Sequence, residues 1–227
     1  MALAYLLGKG SSKVLHTKII IPVILVLSIL PDADIVFDFL TGAHIHRGPF
    51  HSVIVAALVF IPFFIKYRKT AIPYFLALIS HSLIGDFLIG GQLQLLWPLT
   101  SQEFGLPELG SYYFSIFSPV NLTLEMLLFA FATLVLFKSG DWRVFFTYKK
   151  TNLVLIIPIA TVLLPSTIGY PFSESLLLSS LTAALGLAHL FYLVIFSIAV
   201  LLALAGVLGY KRQFFQKKDC SGKSKLV

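Results

Sequence analysis

Six apolar runs, separated by short polar breaks, leave this chain few choices of fold. They cover Val14–Leu30, Pro49–Ile65, Ala71–Ile89, Val120–Phe137, Leu153–Ile168 and Leu176–Gly209. A bilayer core needs roughly 20 apolar residues in a helix, and repeated runs of about that length read as membrane spans. The expectation is an all-α, polytopic helical membrane protein with about six transmembrane helices. Only 12% of the residues are charged and 58% are hydrophobic, whereas soluble domains carry about a quarter charged. A single transmembrane domain over residues 1–210 is expected, followed by a basic tail, 211–227, of disordered composition.

Some runs depart from the ideal length. Pro31 stops the first, because proline cannot continue a helix interior. The second is short, and Lys66 and Arg68 would lengthen it by snorkelling. Pro158 and Pro165 interrupt the fifth. The last is too long for one upright helix, so it is expected to start as an interfacial or kinked segment. No small-residue cleavage site follows the apolar start of the chain, so no removed signal peptide is expected.

Six spans would put both termini on one side of the membrane. Lys9, Lys13 and Lys18, the 66–69 turn, the 138–150 loop and the 211–225 tail then share a face, and only Arg47 falls opposite. The positive-inside rule makes the basic face cytoplasmic. Asp32, Asp34, Asp38, Glu103, Glu108 and Glu174 fall on the other. The net charge of +7 is thus accounted for by membrane orientation, and no nucleic-acid partner is expected. The lone cysteine, Cys220, excludes an intrachain disulfide and cysteine-based zinc motifs. It lies in a tail whose charge suits anionic lipid.

The chemistry-bearing residues concentrate between the first two runs and late in the third. LPDADIVFDFLTGAHIHRGPFHS (30–52) holds Asp32, Asp34, Asp38, His44, His46 and His51. Carboxylates with neutral imidazoles are a donor set for a borderline divalent cation. In an extended segment Asp32 and Asp34 would share a side, although loops also use Asp for turns. Pro49 is expected to open the second helix with Gly48 as its cap, placing His51 in the first turn. Arg47 is suited to clamp an anionic oxygen; an arginine anchoring a helix to headgroups is the alternative.

His81 and Asp86 lie inside an apolar run, where ionisable groups are costly without partners. At ~100° per residue they stand about 140° apart on an ideal helix. Either the helix is distorted near Gly85, or Asp86 or Ser82 orients His81 from behind. A buried polar network tying helices together would use the same residues. His189 reads as a structural histidine and Glu125 as a group supporting the site or carrying protons. His16 is too far along the first span to take part.

At these residues the chain resembles a family of membrane-bound hydrolases, assigned as metal-dependent, from bacteria and archaea. The family is also named LexA-binding, inner membrane-associated. LPDAD (30–34), HRGPFHS (46–52), SHSLIGD (80–86) and WPL (97–99) carry the resemblance, which covers roughly the first 100 residues. The family is distantly similar to zinc-dependent phospholipase C-type enzymes, which implies phosphoester hydrolysis. By motif, the resemblance implies metal-site roles for Asp32, Asp34, His46, His51, His81 and Asp86. This chain lacks the Gly-His that often precedes the Pro-Asp motif in the family. Its His81 and Asp86 are also one residue further apart than usual there.

Two functions fit. In the first, zinc or manganese held by the Asp/His set activates water, with Arg47 and Asp86 as the catalytic candidates. The substrate is then a membrane lipid or lipid-linked phosphoester at the extracytoplasmic face. Trp97, Tyr112 and Tyr113 would bring interfacial aromatic rings close to it. In the second, the cluster serves an ion or proton transporter.

Overall fold

Proline and glycine punctuation cuts the N-terminal half into short helices, while the C-terminal half keeps long ones. The computed structural model describes the backbone of residues 1–42, 46–90, 92–105, 118–172 and 180–223. His44, Glu108, Tyr112, Tyr113 and Glu174 lie outside the described residues.

Helix α1 (Ala2–Val14) has 13 residues, about 20 Å of rise. A tight turn follows, with His16 in the left-handed region at φ 52°. Helix α2 (Ile21–Leu27) starts with Pro22 in its first turn and ends after seven residues. The first span expected at Val14–Leu30 is therefore corrected: that run begins in a turn, and its helix is about 10 Å long. Gly8 lets α2 approach α1 closely, since a Cβ there would come within 3.0 Å of Ile24 Cδ1.

A 3₁₀ turn, Pro31–Ala33, leads into α3 (Asp34–Thr41). Helix α4 (Val53–Tyr67) runs 15 residues with Pro62 inside it. After a turn at Arg68–Ala71 the chain returns along α5 (Ile72–Ser80), which passes directly into a π-helix, His81–Gly90. The Phe60 ring packs 5.4 Å from Phe75, joining the two arms. Both ends of this hairpin therefore meet near His51 and His81, with Lys66, Arg68 and Lys69 at the far turn.

Helix α6 (Pro119–Lys138) is capped by Ser118, whose Oγ accepts from the Asn121 amide. Residues 150–172 combine 3₁₀, α, π and α turns in succession, with Pro158 at one of the junctions. The final helix is Ser180–Lys223. It continues into the basic stretch expected to be disordered.

Among the described residues, three segments are long and apolar enough to cross a membrane: Pro119–Lys138, Lys150–Ile168 and Leu181–Gly209. That is fewer than the six expected. The other three runs fail on helix length: α2 has seven residues, α4 starts only after the Pro49–His51 turn and has 15, and the third run divides between α5 and the π-helix. Among the described residues there is no strand; one isolated bridge pairs Leu93 with Phe104.

One buried cluster joins both halves, from Tyr5, Ile21 and Leu25 through Ala132, Leu136 and Phe145 to Phe196 and Val200. Lys9 and Tyr5 both reach Asp141, at 2.6 and 2.9 Å, and fix α1 to the turn after α6. Outside the core, Leu127, Leu134, Leu187 and Leu201 are all more than 60% exposed. Rows of exposed leucine on helices of this length are what hydrocarbon accepts and water does not.

Candidate metal centre

Three separate segments bring the polar residues together. The 3₁₀ turn after α2 carries Asp32, and Asp34 opens α3, where the positive helix end suits a carboxylate. Gly48 caps a single 3₁₀ turn, Pro49–His51. Helix α4 begins only after Ser52, so the expected proline start of that helix belongs to this short turn instead. Ser52 Oγ accepts from the amides of Ile54 and Val55 and lies 2.5 Å from the Trp97 carbonyl, to which it donates.

Backbone pairing fixes this loop against residues 92–97. Gln94 N donates to the Arg47 carbonyl and Val53 N to the Leu95 carbonyl, both at 3.0 Å. The supporting roles of Ser52, Gln94 and Leu95 were not foreseen. Pairing between two loops leaves no periodic trace in either, although the WPL motif marks the second one.

Four ligand-type atoms converge. His51 Nε2 lies 3.5 Å from Asp32 Oδ1 and 3.1 Å from Asp86 Oδ2. His81 Nε2 lies 3.1 Å from Asp32 Oδ1 and 3.2 Å from Asp86 Oδ2. Ligands at zinc-type distances in a tetrahedron stand about 3.3 Å apart. The separations bracket that value, so Asp32, His51, His81 and Asp86 could hold one ion with little movement.

Asp34 and His46 occupy a different position. Asp34 does not share a side with Asp32 on an extended strand, because both lie in helical turns. The two aspartates address opposite nitrogens of His51: Asp32 is near Nε2, whereas Asp34 Oδ2 is 3.3 Å from Nδ1. Asp34 Oδ1 lies 2.8 Å from His46 Nδ1. The His46 and His51 rings meet edge-on at 5.2 Å. Asp34, His46 and His51 form a second group with metal-type donors, sharing His51 with the first.

Burial sharpens the chemistry. Asp34 is 0% and His51 1% exposed. Both His51 nitrogens, Asp34 Oδ2 and Asp86 Oδ2 are buried without a hydrogen bond of good geometry. Buried polar atoms in this state call for an explanation; a cation beside His51 Nε2 and Asp86 Oδ2 would account for those two, and a proton on Nδ1 directed at Asp34 Oδ2 for the others. Burial alone would raise the Asp32 pKa, but the His51 and His81 imidazoles outweigh it and hold the carboxyl below the usual range. For His51, burial opposes the charged ring, and the carboxylates of Asp32 and Asp86 prevail, raising its pKa.

Arg47 is held at φ 66°, a left-handed conformation uncommon for a side chain of its size. Its Nε is buried with no hydrogen-bond partner among the described residues. His189 stays out of the cluster: its Nδ1 donates to the Leu185 carbonyl at 2.8 Å, and its ring packs on Phe129. Glu125 accepts from Asn121 Nδ2 at 3.3 Å on α6. His16 sits in the α1–α2 turn and belongs to neither donor group among the described residues.

Together these features define an all-α membrane protein with a buried histidine–carboxylate cluster at one end of its N-terminal helices. Residues 1–213 match the family model described as YdjM inner membrane protein, and the chain belongs to that family. No curated protein and no solved structure matches it.

Proposed function

We propose that this protein is a membrane-embedded, metal-dependent hydrolase acting on a phosphoester of a lipid or lipid-linked substrate. The carrying observation is the set of four ligand atoms from three segments, in which each imidazole nitrogen lies 3.1–3.5 Å from both carboxylate oxygens and all four lie within 4.8 Å of one another. Two imidazoles and two carboxylates favour zinc or manganese over magnesium, which prefers an all-oxygen shell. Such an ion, when bound, supplies Lewis acidity toward a phosphoryl oxygen and acidifies water.

The chain's own residues would do the rest. Asp32, His51, His81 and Asp86 would hold the ion, and the backbone pairing of residues 92–97 would keep His51 in place. Arg47, with its buried Nε unpartnered, would meet the anionic oxygen of the substrate. Hydrolysis adds water across one P–O bond and gives a phosphate and an alcohol. The apolar helices that lead into the cluster suit a substrate that arrives within the bilayer. The arrangement supports a site on the extracytoplasmic face, with the basic turns cytoplasmic.

The test is a screen of purified, metal-loaded protein against phospholipids, lipid diphosphates and a generic phosphodiester. Metal-dependent turnover lost in His51→Ala supports the reading. No turnover on any of them, with metal-coupled ion flux in liposomes, would make the cluster part of a transporter instead.

A further inference from the structure

We propose that Asp34 is a positioning residue, not a metal ligand, and that the centre takes a single ion. The proposal rests on the metal-centre reading above and assigns the two carboxylates of the Pro-Asp-Ala-Asp turn different tasks.

The argument starts from His51. An imidazole that binds an ion through one nitrogen has its other nitrogen protonated, and the partner of that N–H fixes the tautomer and the ring orientation. His51 Nε2 faces Asp32 and Asp86, within 3.5 Å of both. Its Nδ1 faces Asp34 Oδ2 at 3.3 Å. Asp34 is thus on the far side of the ring from the four converging atoms. Its other oxygen is taken up by His46 Nδ1 at 2.8 Å, a distance typical of a charge-assisted hydrogen bond.

One fully buried carboxylate therefore spans two imidazoles and sets the direction of both rings. A second ion in its place would need His51 to lose both ring protons and would have only three protein donors among the described residues. Asp34, His46 and His51 are more simply satisfied by two N–H donors and one carboxylate.

The test is metal binding by the full-length protein in detergent, with zinc and with cobalt as a spectroscopic probe. The wild type is expected to bind one ion per chain. Asp34→Asn is expected to keep that stoichiometry and the tetrahedral cobalt spectrum while affinity falls about 10- to 100-fold. Asp32→Asn, by contrast, should change the cobalt spectrum itself.

Two ions per wild-type chain would overturn the proposal, as would an Asp34→Asn spectrum altered in the manner of Asp32→Asn. The wild-type stoichiometry decides the matter even where the Asp34 variant fails to fold. A wild type that binds no divalent ion overturns this proposal together with the reading beneath it. Metal binding with intact Asp34 effects but no hydrolysis would fault only the proposed reaction.

Discussion

His81 Nε2 lies 3.2 Å from Asp86 Oδ2, although the two residues are five apart on one helical segment. An α-helix would hold them about 140° apart. The segment is instead a π-helix over His81–Gly90, in which i→i+5 bonding widens the turn and brings residues five apart much closer to one face than an α-helix does. The distortion that the spacing demanded is a change of helix type spread over ten residues.

This makes the register testable. Deleting Ile84 brings His81 and Asp86 to i,i+4 spacing, which an α-helix places on one face. We expect that deletion to retain metal binding within about tenfold. Inserting one alanine after Ile84 should abolish it. Equal loss in both variants, with both folded by circular dichroism, would show that the π register is not what aligns the pair.

The buried hydroxyl of Ser52 caps α4 and also ties the His51 loop to the Trp97 carbonyl. Replacing it by alanine removes the cap and leaves the Trp97 carbonyl without this donor. The expected loss is about 1–2 kcal/mol, read as a lower thermal unfolding midpoint in detergent. An unchanged midpoint would remove Ser52 from the account of how the loop is held.

Metal affinity should rise with pH. His51 is raised above its ordinary value, near 6.5, so the ion-free ring stays protonated past that pH and an incoming cation must displace the proton. Asp32 is lowered and remains charged below the ordinary carboxylate range, so it does not limit binding near neutrality. In ion-free protein the two shifts stabilise the fold over a shared window. The Asp32 contribution is lost as pH falls through its lowered pKa, and the His51 contribution as pH rises through its raised one. Zinc titrations at pH 6 and pH 8 should show tighter binding and less proton release at pH 8. Equal affinity at both would contradict the charged ring.

Much of this site was legible before the fold. The residue types at 32, 34, 46, 51, 81 and 86 already suggested a donor set for a cation, and a costly histidine and aspartate in an apolar run pointed to a partner elsewhere. What stayed hidden was geometric. Nothing in PDAD reveals that Asp32 and Asp34 address opposite nitrogens of one ring, because that depends on the 3₁₀ turn entering α3. The apolar runs identified the membrane class but overstated full spans, since hydropathy does not register where α1 ends or how soon α2 stops.

The proposed orientation can be tested on the candidate crossings after the site. The α4–α5 hairpin brings the chain back to the cluster, and three candidate spans then follow. If each of these crosses once, we expect Gly42 and Cys220 on opposite sides. Impermeant thiol labelling of intact cells should reach Gly42→Cys, made in a Cys220→Ser background, and should miss native Cys220. Labelling of both from the same side would contradict this topology.

The most direct test of the central claim is the metal content of purified protein, wild type beside His51→Ala. His51 is the residue both donor groups share. The account predicts about one zinc or manganese ion per wild-type chain and only a small residue of metal in His51→Ala, with helical content preserved. Equal metal content in the two proteins would contradict it.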